Sequence, residues 1–128
     1  SGEVSTMFMP ALTALPLIQG NRIRALAVTS LERLPALPEL PTVNESGLKG
    51  YQSSQWYGLL APAGTPAEIL NLLNGHAAKI MQSADMKERM KNSGSVAVGS
   101  TREVFAKFVQ SEFTKWAKVI KASGATVD

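Results

Sequence analysis

The spacing of apolar and polar residues gives the first part of the chain the character of strands around a short helix. Residues 3–8 and 22–30 are short β-branched and apolar runs, a pattern typical of buried strands. Between them, residues 11–19 carry leucine and isoleucine at helical spacing, and Gly20 ends the predicted helix. Pro16 limits this helix to a couple of turns or kinks it. Strand, helix and strand in this order predict a parallel βαβ unit.

A run of alternating leucine and proline follows the second predicted strand. Residues 34–41 read LPALPELP, with the Leu-Pro pair repeated every third residue, which predicts polyproline II. The run is either a PxxP ligand for an adaptor domain or a stiff connector whose leucines pack on a sheet. The connector is favoured, because the leucines of an isolated ligand motif would be exposed. A short helical turn ending at Gly47 comes next.

The chain changes abruptly from extended to helical near its middle. Residues 51–61 have an extended pattern, with a strand predicted over Gln55–Ala61, and a proline- and glycine-rich turn follows. Thr65 and Glu68 have the spacing of a capping box, and Pro66 suits the first helical position. These residues predict a switch from strand to helix.

Three helices are predicted after this switch. The first carries one apolar stripe and ends near Ser83, and its stripe consists of Ile69, Leu70, Leu73, Ala77, Ile80 and Met81. A short second helix is capped by Ser83 or Asp85 and closed by Gly94. Ser100 and Glu103 form the predicted capping box of the last helix, which ends at Gly124. Its predicted buried stripe consists of Phe105, Phe108, Val109, Phe113, Trp116 and Ile120.

Composition narrows the class of protein. The 128 residues, 45% hydrophobic and 18% charged, are typical of one globular domain or pieces of two. The net charge of +3 arises from bases mixed with acids along helical segments, which disfavours nucleic-acid binding. Absence of cysteine excludes disulfides and thiol catalysis. No apolar run approaches the ~20 residues of a membrane span, and the first residues do not resemble a signal peptide.

The sequence offers little for catalysis, and no catalytic residue, metal or cofactor is expected. It contains no phosphate-binding glycine loop, no G-x-S-x-G motif and no pair of histidines. The one histidine, His76, lies in the middle of a predicted helix. Asp85 and Asp128 have structural positions, Glu45 lies in a polar turn and Glu68 in a cap. No two carboxylates have the different environments that acid–base catalysis requires.

The candidate ligand-binding residues lie where the predicted strands end. Ligands of open parallel sheets bind beyond the carboxyl ends of the strands. This rule selects Phe8, Met9, Pro10, Ala11, Thr29 and Ser30. Trp56 and Tyr57 either add an apolar wall to the pocket or pack in the core. Arg22 and Arg24 could bind an anion, but their place where the strand begins favours a surface role.

Four segments in this order resemble one family of receptors. They are GEVSTMF, IRALAVTSLERLPALPELPTVNESG, WYGLLAPAGTP and GSTREVFAKFVQSEFTKWAKVIKASG. They look like the C-terminal portion of the Bug (TctC-like) extracytoplasmic solute receptors of tripartite tricarboxylate transporters. The resemblance covers essentially the whole chain. Family members are much longer, which implies that their N-terminal part is missing here.

The resemblance implies an α/β fold, namely a partial type II periplasmic binding-protein fold. Residues 1–54 would be the C-terminal part of the second ligand-binding domain. Residues 55–128 would be the hinge strand and the C-terminal helical part of the first domain. A crossing strand of this kind absorbs the rotation when two domains close on a ligand.

The implied function is capture of a small carboxylate in the periplasm and its delivery to the membrane components of the transporter. The glycine-rich ligand loops of the family would lie in the missing part. Two positions depart from the family pattern. Ser5 stands where an aspartate is usual, which removes a carboxylate, and Arg102 stands where proline is frequent at a helix start. The Met-Pro-Ala sequence after Phe8 indicates an apolar portion on the ligand.

Two other functions and one mode of association follow from the same features. The chain could be the effector-binding domain of a transcriptional regulator with the same two-domain architecture. An enzyme domain with its catalytic residues elsewhere is disfavoured by the lack of acids, bases and nucleophiles. Strands without neighbours would expose edges and apolar faces. The chain is therefore expected to self-associate or to pair with the missing N-terminal part.

Overall fold

The computed structural model describes residues 3–126, which contain four α-helices. They are α1 (Ala11–Gln19), α2 (Ala67–Gln82), α3 (Ala84–Asn92) and α4 (Arg102–Ser123). The prediction of these four helices from apolar spacing is confirmed. None of these helices combines the length and the apolar content needed to cross a membrane.

The described residues form two compact units, and each is considered by itself. The first unit consists of residues 3–60 and 82–97, and the second of residues 61–81 and 98–126. The assignment of residues 1–54 and 55–128 to two domains of a longer receptor stays a prediction.

In the first unit, α1 packs closely against the end of α3. Leu15 of α1 is buried, and a Cβ atom on Gly94 would lie 2.7 Å from the Leu15 Cδ1 atom. Gly94 has a φ of +71°, so a glycine both closes α3 and allows this approach. Ser83 is the N-cap of α3 and accepts a hydrogen bond from the Met86 N–H, which decides between the two predicted caps.

The predicted strands 3–8, 22–30 and 55–61 are wrong as hydrogen-bonded strands. Among the described residues, β pairing consists of one isolated parallel bridge between Val28 and Thr42. The Val28 N–H donates to the Pro41 carbonyl at 2.9 Å, and the Val43 N–H donates to the Val28 carbonyl at 2.9 Å. A strand requires a neighbour along its whole length. Within residues 3–126 the apolar runs have no such neighbour, and residues such as Phe8 are exposed.

The leucine–proline run does not form polyproline II. The Leu37 N–H donates to the Leu34 carbonyl at 2.9 Å, and the Leu40 N–H donates to the Leu37 carbonyl at 3.1 Å. The run is therefore two consecutive turns, whereas polyproline II has no internal hydrogen bonds. Pro35 and Pro38 occupy the second position of the two turns, which their fixed φ favours.

In the second unit, the start of α4 lies against α2. The Arg102 Nη1 atom donates to the Asn71 Oδ1 atom at 2.7 Å, and the Asn74 Nδ2 atom donates to the Ser100 carbonyl at 3.0 Å. Gly99 approaches α2 so closely that a Cβ atom there would lie 2.9 Å from the Met81 Cβ atom. These contacts hold the segment before α4 along one side of α2.

Two helix starts differ from their predicted caps. The Thr65 hydroxyl donates to the Pro62 carbonyl at 2.8 Å within the preceding turn, and α2 begins after Pro66. At α4 the N-cap is Thr101, whose hydroxyl accepts from the Val104 N–H at 3.3 Å. Thr101, not Ser100, caps because its backbone is the last extended residue before the helix.

The predicted buried stripe of α4 is largely exposed. Phe105 and Val109 are half-buried, whereas Phe113 is 69% exposed and Ile120 is 51% exposed. The polar contacts with α2 described above involve residues at or before the first turn of α4. The remainder of the apolar stripe therefore receives little cover within the second unit.

Candidate functional site

The first group of predicted site residues surrounds the start of α1. The Pro10 carbonyl accepts hydrogen bonds from the Thr13 and Ala14 amides, both at 3.0 Å, and from the Thr13 hydroxyl at 2.9 Å. Proline at this position begins the helix without leaving an amide donor unpaired. Phe8 is 81% exposed, whereas Met9 and Ala11 are half-buried. This group presents an aromatic side chain beside a fixed helix start.

The second group follows the Val28 bridge. Thr29 and Ser30 are half-buried, and the Thr29 carbonyl accepts from the Ser53 N–H at 2.9 Å. The Ser30 hydroxyl donates to the Glu32 carbonyl at 2.6 Å. Within the described residues the Thr29 hydroxyl makes no hydrogen bond. Thr29 thus offers a side-chain donor that no other group occupies.

Trp56 lies three residues beyond the hydrogen bond that joins Ser53 to Thr29. Its side chain is 39% exposed. Tyr57 is 88% exposed and its hydroxyl accepts from the Gln55 Nε2 atom at 2.8 Å. The core alternative is therefore wrong for Tyr57.

All seven predicted site residues belong to the first unit, and they are Phe8, Met9, Pro10, Ala11, Thr29, Ser30 and Trp56. They do not all come into contact. Ser53 links the extended segment before Trp56 to Thr29. In the part of the chain that the structure describes, no hydrogen bond joins Phe8–Ala11 to Thr29 or Ser30. A pocket shared by both groups stays a prediction.

Thr42, Glu45 and Arg33 form a polar cluster beside the Val28 bridge, and the sequence did not predict it. Thr42 is fully buried; its N–H donates to the Glu45 Oε2 atom at 2.8 Å, and its hydroxyl accepts from the Glu45 N–H at 2.9 Å. This is a capping box on a single helical turn. The Arg33 Nε atom donates to the same carboxylate at 3.0 Å, and Arg33 Nη1 donates to the Pro38 carbonyl at 3.1 Å. The T-x-x-E spacing of residues 42–45 was the signal that could have revealed it.

Electrostatics at this cluster favours the ionised glutamate. The hydrogen bond from the Thr42 backbone lowers the pKa of Glu45 below its ordinary value, and the bond from Arg33 lowers it further. Both the glutamate and the arginine are partly exposed. The cluster therefore fixes the turn and the two leucine–proline turns beside it, and it offers no proton donor near neutral pH.

An open groove lies elsewhere in the first unit. It has a volume of about 600 Å³ and is lined by Ile18 and by residues 21–25 and 36–40. Arg22 and Arg24 line it and are exposed. None of the seven predicted site residues lines this groove.

The remaining titratable residues give no sign of a metal centre. Within residues 3–126, no three histidine, aspartate or glutamate side chains come together as metal ligands. His76 is exposed on α2, and Asp85 pairs with Arg89 one turn later in α3. Asp128 lies outside the described residues.

Comparison with known proteins identifies relatives over most of the chain. The sequence profile of the family described as "Tripartite tricarboxylate transporter family receptor" matches residues 1–125. A protein from the tcbD-tcbE intergenic region of Pseudomonas sp. (strain P51) is 38% identical over 94% of this chain and 36% of its own length. Protein BugT of Bordetella pertussis is 34% identical over 91% of this chain and 35% of its own. The chain spans about a third of the length of these curated relatives.

Solved structures share the course of the backbone. R. palustris Rpa4515 with adipate has a TM-score of 0.79 at 34% identity, covering 89% of this chain and 38% of that one. MatC from Rhodopseudomonas palustris with bound malate has a TM-score of 0.73 at 31% identity, covering 86% and 38%. The periplasmic binding protein BugD has a TM-score of 0.75 at 34% identity, covering 87% and 38%. The likeness confirms the prediction of a partial α/β periplasmic binding-protein fold.

Proposed function

The chain belongs to the tripartite tricarboxylate transporter receptor family, and we propose that it forms part of a periplasmic receptor that captures a small carboxylate. The receptor delivers this ligand to the membrane components of a tripartite tricarboxylate transporter. It acts by binding alone and catalyses no reaction on the ligand.

The observation that carries this proposal is the likeness to two solved structures that contain adipate and malate. Both ligands are small dicarboxylates, and both proteins share over 30% of their residues with this chain in the matched region. No observation favours an effector-binding domain of a transcriptional regulator.

The seven candidate residues suit a ligand held by hydrogen bonds. None of them carries a charge, so a carboxylate beside them is bound through hydroxyl and backbone donors and not through an ion pair. Of the two hydroxyl groups in the set, that of Ser30 donates to the Glu32 carbonyl and that of Thr29 is available as a donor. Phe8, Met9 and Trp56 supply apolar surface for the carbon chain of the ligand.

Calorimetric titration tests the proposal directly. The chain is titrated with adipate and with malate, and with adipamide as a neutral analogue of adipate. We expect heat of binding for an acid and none for the amide. Thr29→Val removes the donor hydroxyl and is expected to weaken binding about tenfold, because a hydrogen bond to a charged group contributes about 1.5 kcal/mol.

The matched control is Thr126→Val, an exposed threonine in the second unit whose loss is expected to leave the affinity unchanged. Equal binding of adipate and adipamide would contradict capture of a carboxylate. Equal affinities of the unaltered protein and of Thr29→Val for the acid would contradict the role assigned to the Thr29 hydroxyl.

A further inference from the structure

Thr29 begins a short loop, residues 29–32, that is anchored at the residue just before it. The Val28 N–H donates to the Pro41 carbonyl, and the Val28 carbonyl accepts from the Val43 N–H, both at 2.9 Å. Val28 is also buried. The backbone that leads into the loop is therefore held by two hydrogen bonds and by its own side chain.

Glu45 holds Thr42, the residue that separates the two partners of Val28. The Thr42 N–H donates to the Glu45 carboxylate at 2.8 Å, and the Glu45 N–H donates to the Thr42 hydroxyl at 2.9 Å. Because Thr42 is fully buried, its N–H needs a partner within the protein, and this carboxylate provides one. The positions of the groups that bind Val28 therefore depend on Glu45.

Glu45 also holds the other end of the loop. Arg33 follows the loop directly, and its Nε atom donates to the Glu45 Oε2 atom at 3.0 Å, the same oxygen that accepts from Thr42. Within the loop, the Ser30 hydroxyl donates to the Glu32 carbonyl at 2.6 Å. A single carboxylate thus joins the two ends of the loop that carries Thr29.

We propose that Glu45 is a positioning residue for the ligand, because it keeps the Thr29 hydroxyl in place before the carboxylate binds. This inference rests on the proposed function, in which that hydroxyl donates to the carboxylate. A donor that is already ordered loses less conformational freedom on binding, so the affinity is higher. Glu45 acts through the loop and not through its charge, since a negative charge would weaken the binding of an anion.

Amide hydrogen exchange tests the link from Glu45 to Thr29 without a ligand. The reporter is the Ser53 N–H, which donates to the Thr29 carbonyl at 2.9 Å. Glu45→Ala is expected to raise the exchange rate of this amide about threefold or more, because the Thr29 loop opens more often. If Glu45 acted only within its own turn, the Thr42 amide would exchange faster and the Ser53 amide would not. That result would overturn the proposal.

Glu39→Ala is the matched control for Glu45→Ala. Both glutamates are exposed and lie in the first unit, so each substitution removes one negative charge from the same part of the protein. Glu39 forms no ion pair with a described residue, and its loss is expected to leave the exchange of Ser53 unchanged. Far-UV circular dichroism verifies that each variant is folded. If Glu45→Ala does not fold, Glu45→Gln retains an oxygen for the Thr42 N–H and is expected to give the same changes at smaller size.

A double-mutant cycle, measured by calorimetric titration with adipate, connects this link to binding. Glu45→Ala is expected to weaken binding about threefold, and Thr29→Val about tenfold. In the Thr29→Val background, Glu45→Ala is expected to have no further effect, because the hydroxyl that it positions is absent. A loss that persists in that background, or no loss from Glu45→Ala alone, would overturn the proposal. Equal binding of adipate and adipamide would instead contradict the proposed function, and the exchange of Ser53 would still decide whether Glu45 holds Thr29.

Discussion

Thr42 and Glu45 each bind the backbone amide of the other, although one is buried and the other is exposed. The Thr42 N–H donates to the Glu45 carboxylate at 2.8 Å and the Glu45 N–H donates to the Thr42 hydroxyl at 2.9 Å. Thr42 also forms the bridge with Val28. The pair therefore joins the one β contact among the described residues to the turn that follows it.

Removal of the Thr42 hydroxyl tests the strength of this pair. Thr42→Val keeps the shape of the side chain and leaves the Glu45 N–H without its acceptor. We expect a loss of about 1–2 kcal/mol in the free energy of unfolding, measured by urea denaturation. Thr126→Val, which removes an exposed hydroxyl, is expected to change it by less than about 0.5 kcal/mol. Equal losses in the two variants would contradict the capping role of Thr42.

Acid is expected to weaken the same cluster. The folded protein lowers the pKa of Glu45, so ionised Glu45 contributes stability above the unfolded-state pKa of about 4.3. That contribution is lost as the pH falls through the lower pKa of the folded state. We expect the difference in urea midpoint between the unaltered chain and Glu45→Gln to shrink as the pH is lowered from 6 towards 3. A difference that stays constant over this range would show that the ionised carboxylate contributes nothing.

Substitutions of Gly64 and Gly94 distinguish the cost of backbone strain from the cost of close packing. Gly64→Ala introduces a side chain at a φ of +84° in open space, and Gly94→Ala does so at +71° against Leu15 and Ala11. We expect Gly64→Ala to cost about 1 kcal/mol from backbone strain. Gly94→Ala is expected to cost about 2 kcal/mol or more, because it adds a clash between α1 and the end of α3. Thermal unfolding followed by circular dichroism measures both, and a larger cost at Gly64 would contradict the packing described here.

The cap of α4 is expected to depend on one threonine. Thr101→Ala removes the hydroxyl that accepts from the Val104 N–H, and it is expected to cost about 1 kcal/mol. Ser100→Ala is its matched control, because the Ser100 contact is made by the carbonyl and survives the substitution. Urea denaturation distinguishes the two variants. A larger loss for Ser100→Ala would restore the cap predicted from sequence.

Helices were predictable here because their determinants are local. Apolar spacing and glycine stops give the bounds of α1 and α4 within the chain itself. The cap of α3 was among the two predicted, whereas that of α4 was missed by one position, because Ser100 and Thr101 are equally good caps until the fold selects the residue with the extended backbone. Local rules thus identify the helices, whereas the tertiary structure decides which residue makes the capping hydrogen bond.

The strands could not be predicted from the same rules, because a strand exists only with a neighbour. Residues 22–30 have the composition of a buried strand, and their pairing is confined to Val28 and Thr29. The leucine–proline run failed for a related reason. Its period of three fits polyproline II and two consecutive turns equally well. The hydrogen bond from Arg33 to the Pro38 carbonyl cannot be read from the leucine–proline period, because Arg33 is not part of the repeat.

The availability of side chains at the candidate site could be predicted even less well than the strands, because it depends on hydrogen bonds that only the fold determines. The rule that ligands bind beyond strand ends selected Thr29 and Ser30, and the structure adds that only the Thr29 hydroxyl is available as a donor. Residue type could not reveal this difference, since both side chains carry a hydroxyl. The family resemblance supplied the ligand class, which no motif in the chain encodes.

Tryptophan fluorescence offers a test of the site that uses the two indoles as internal references. Trp56 follows the segment bound to Thr29, whereas Trp116 lies in α4 of the second unit, with its Nε1 atom donating to Glu112 at 3.0 Å. Their exposures are nearly equal at 39% and 38%, so a general solvent effect would act on both. If the carboxylate binds at the predicted residues, adipate is expected to change the emission of the unaltered chain and of Trp116→Phe, and to leave that of Trp56→Phe unchanged. A response that is lost in Trp116→Phe and kept in Trp56→Phe would show that the ligand binds in the second unit and not at the predicted residues.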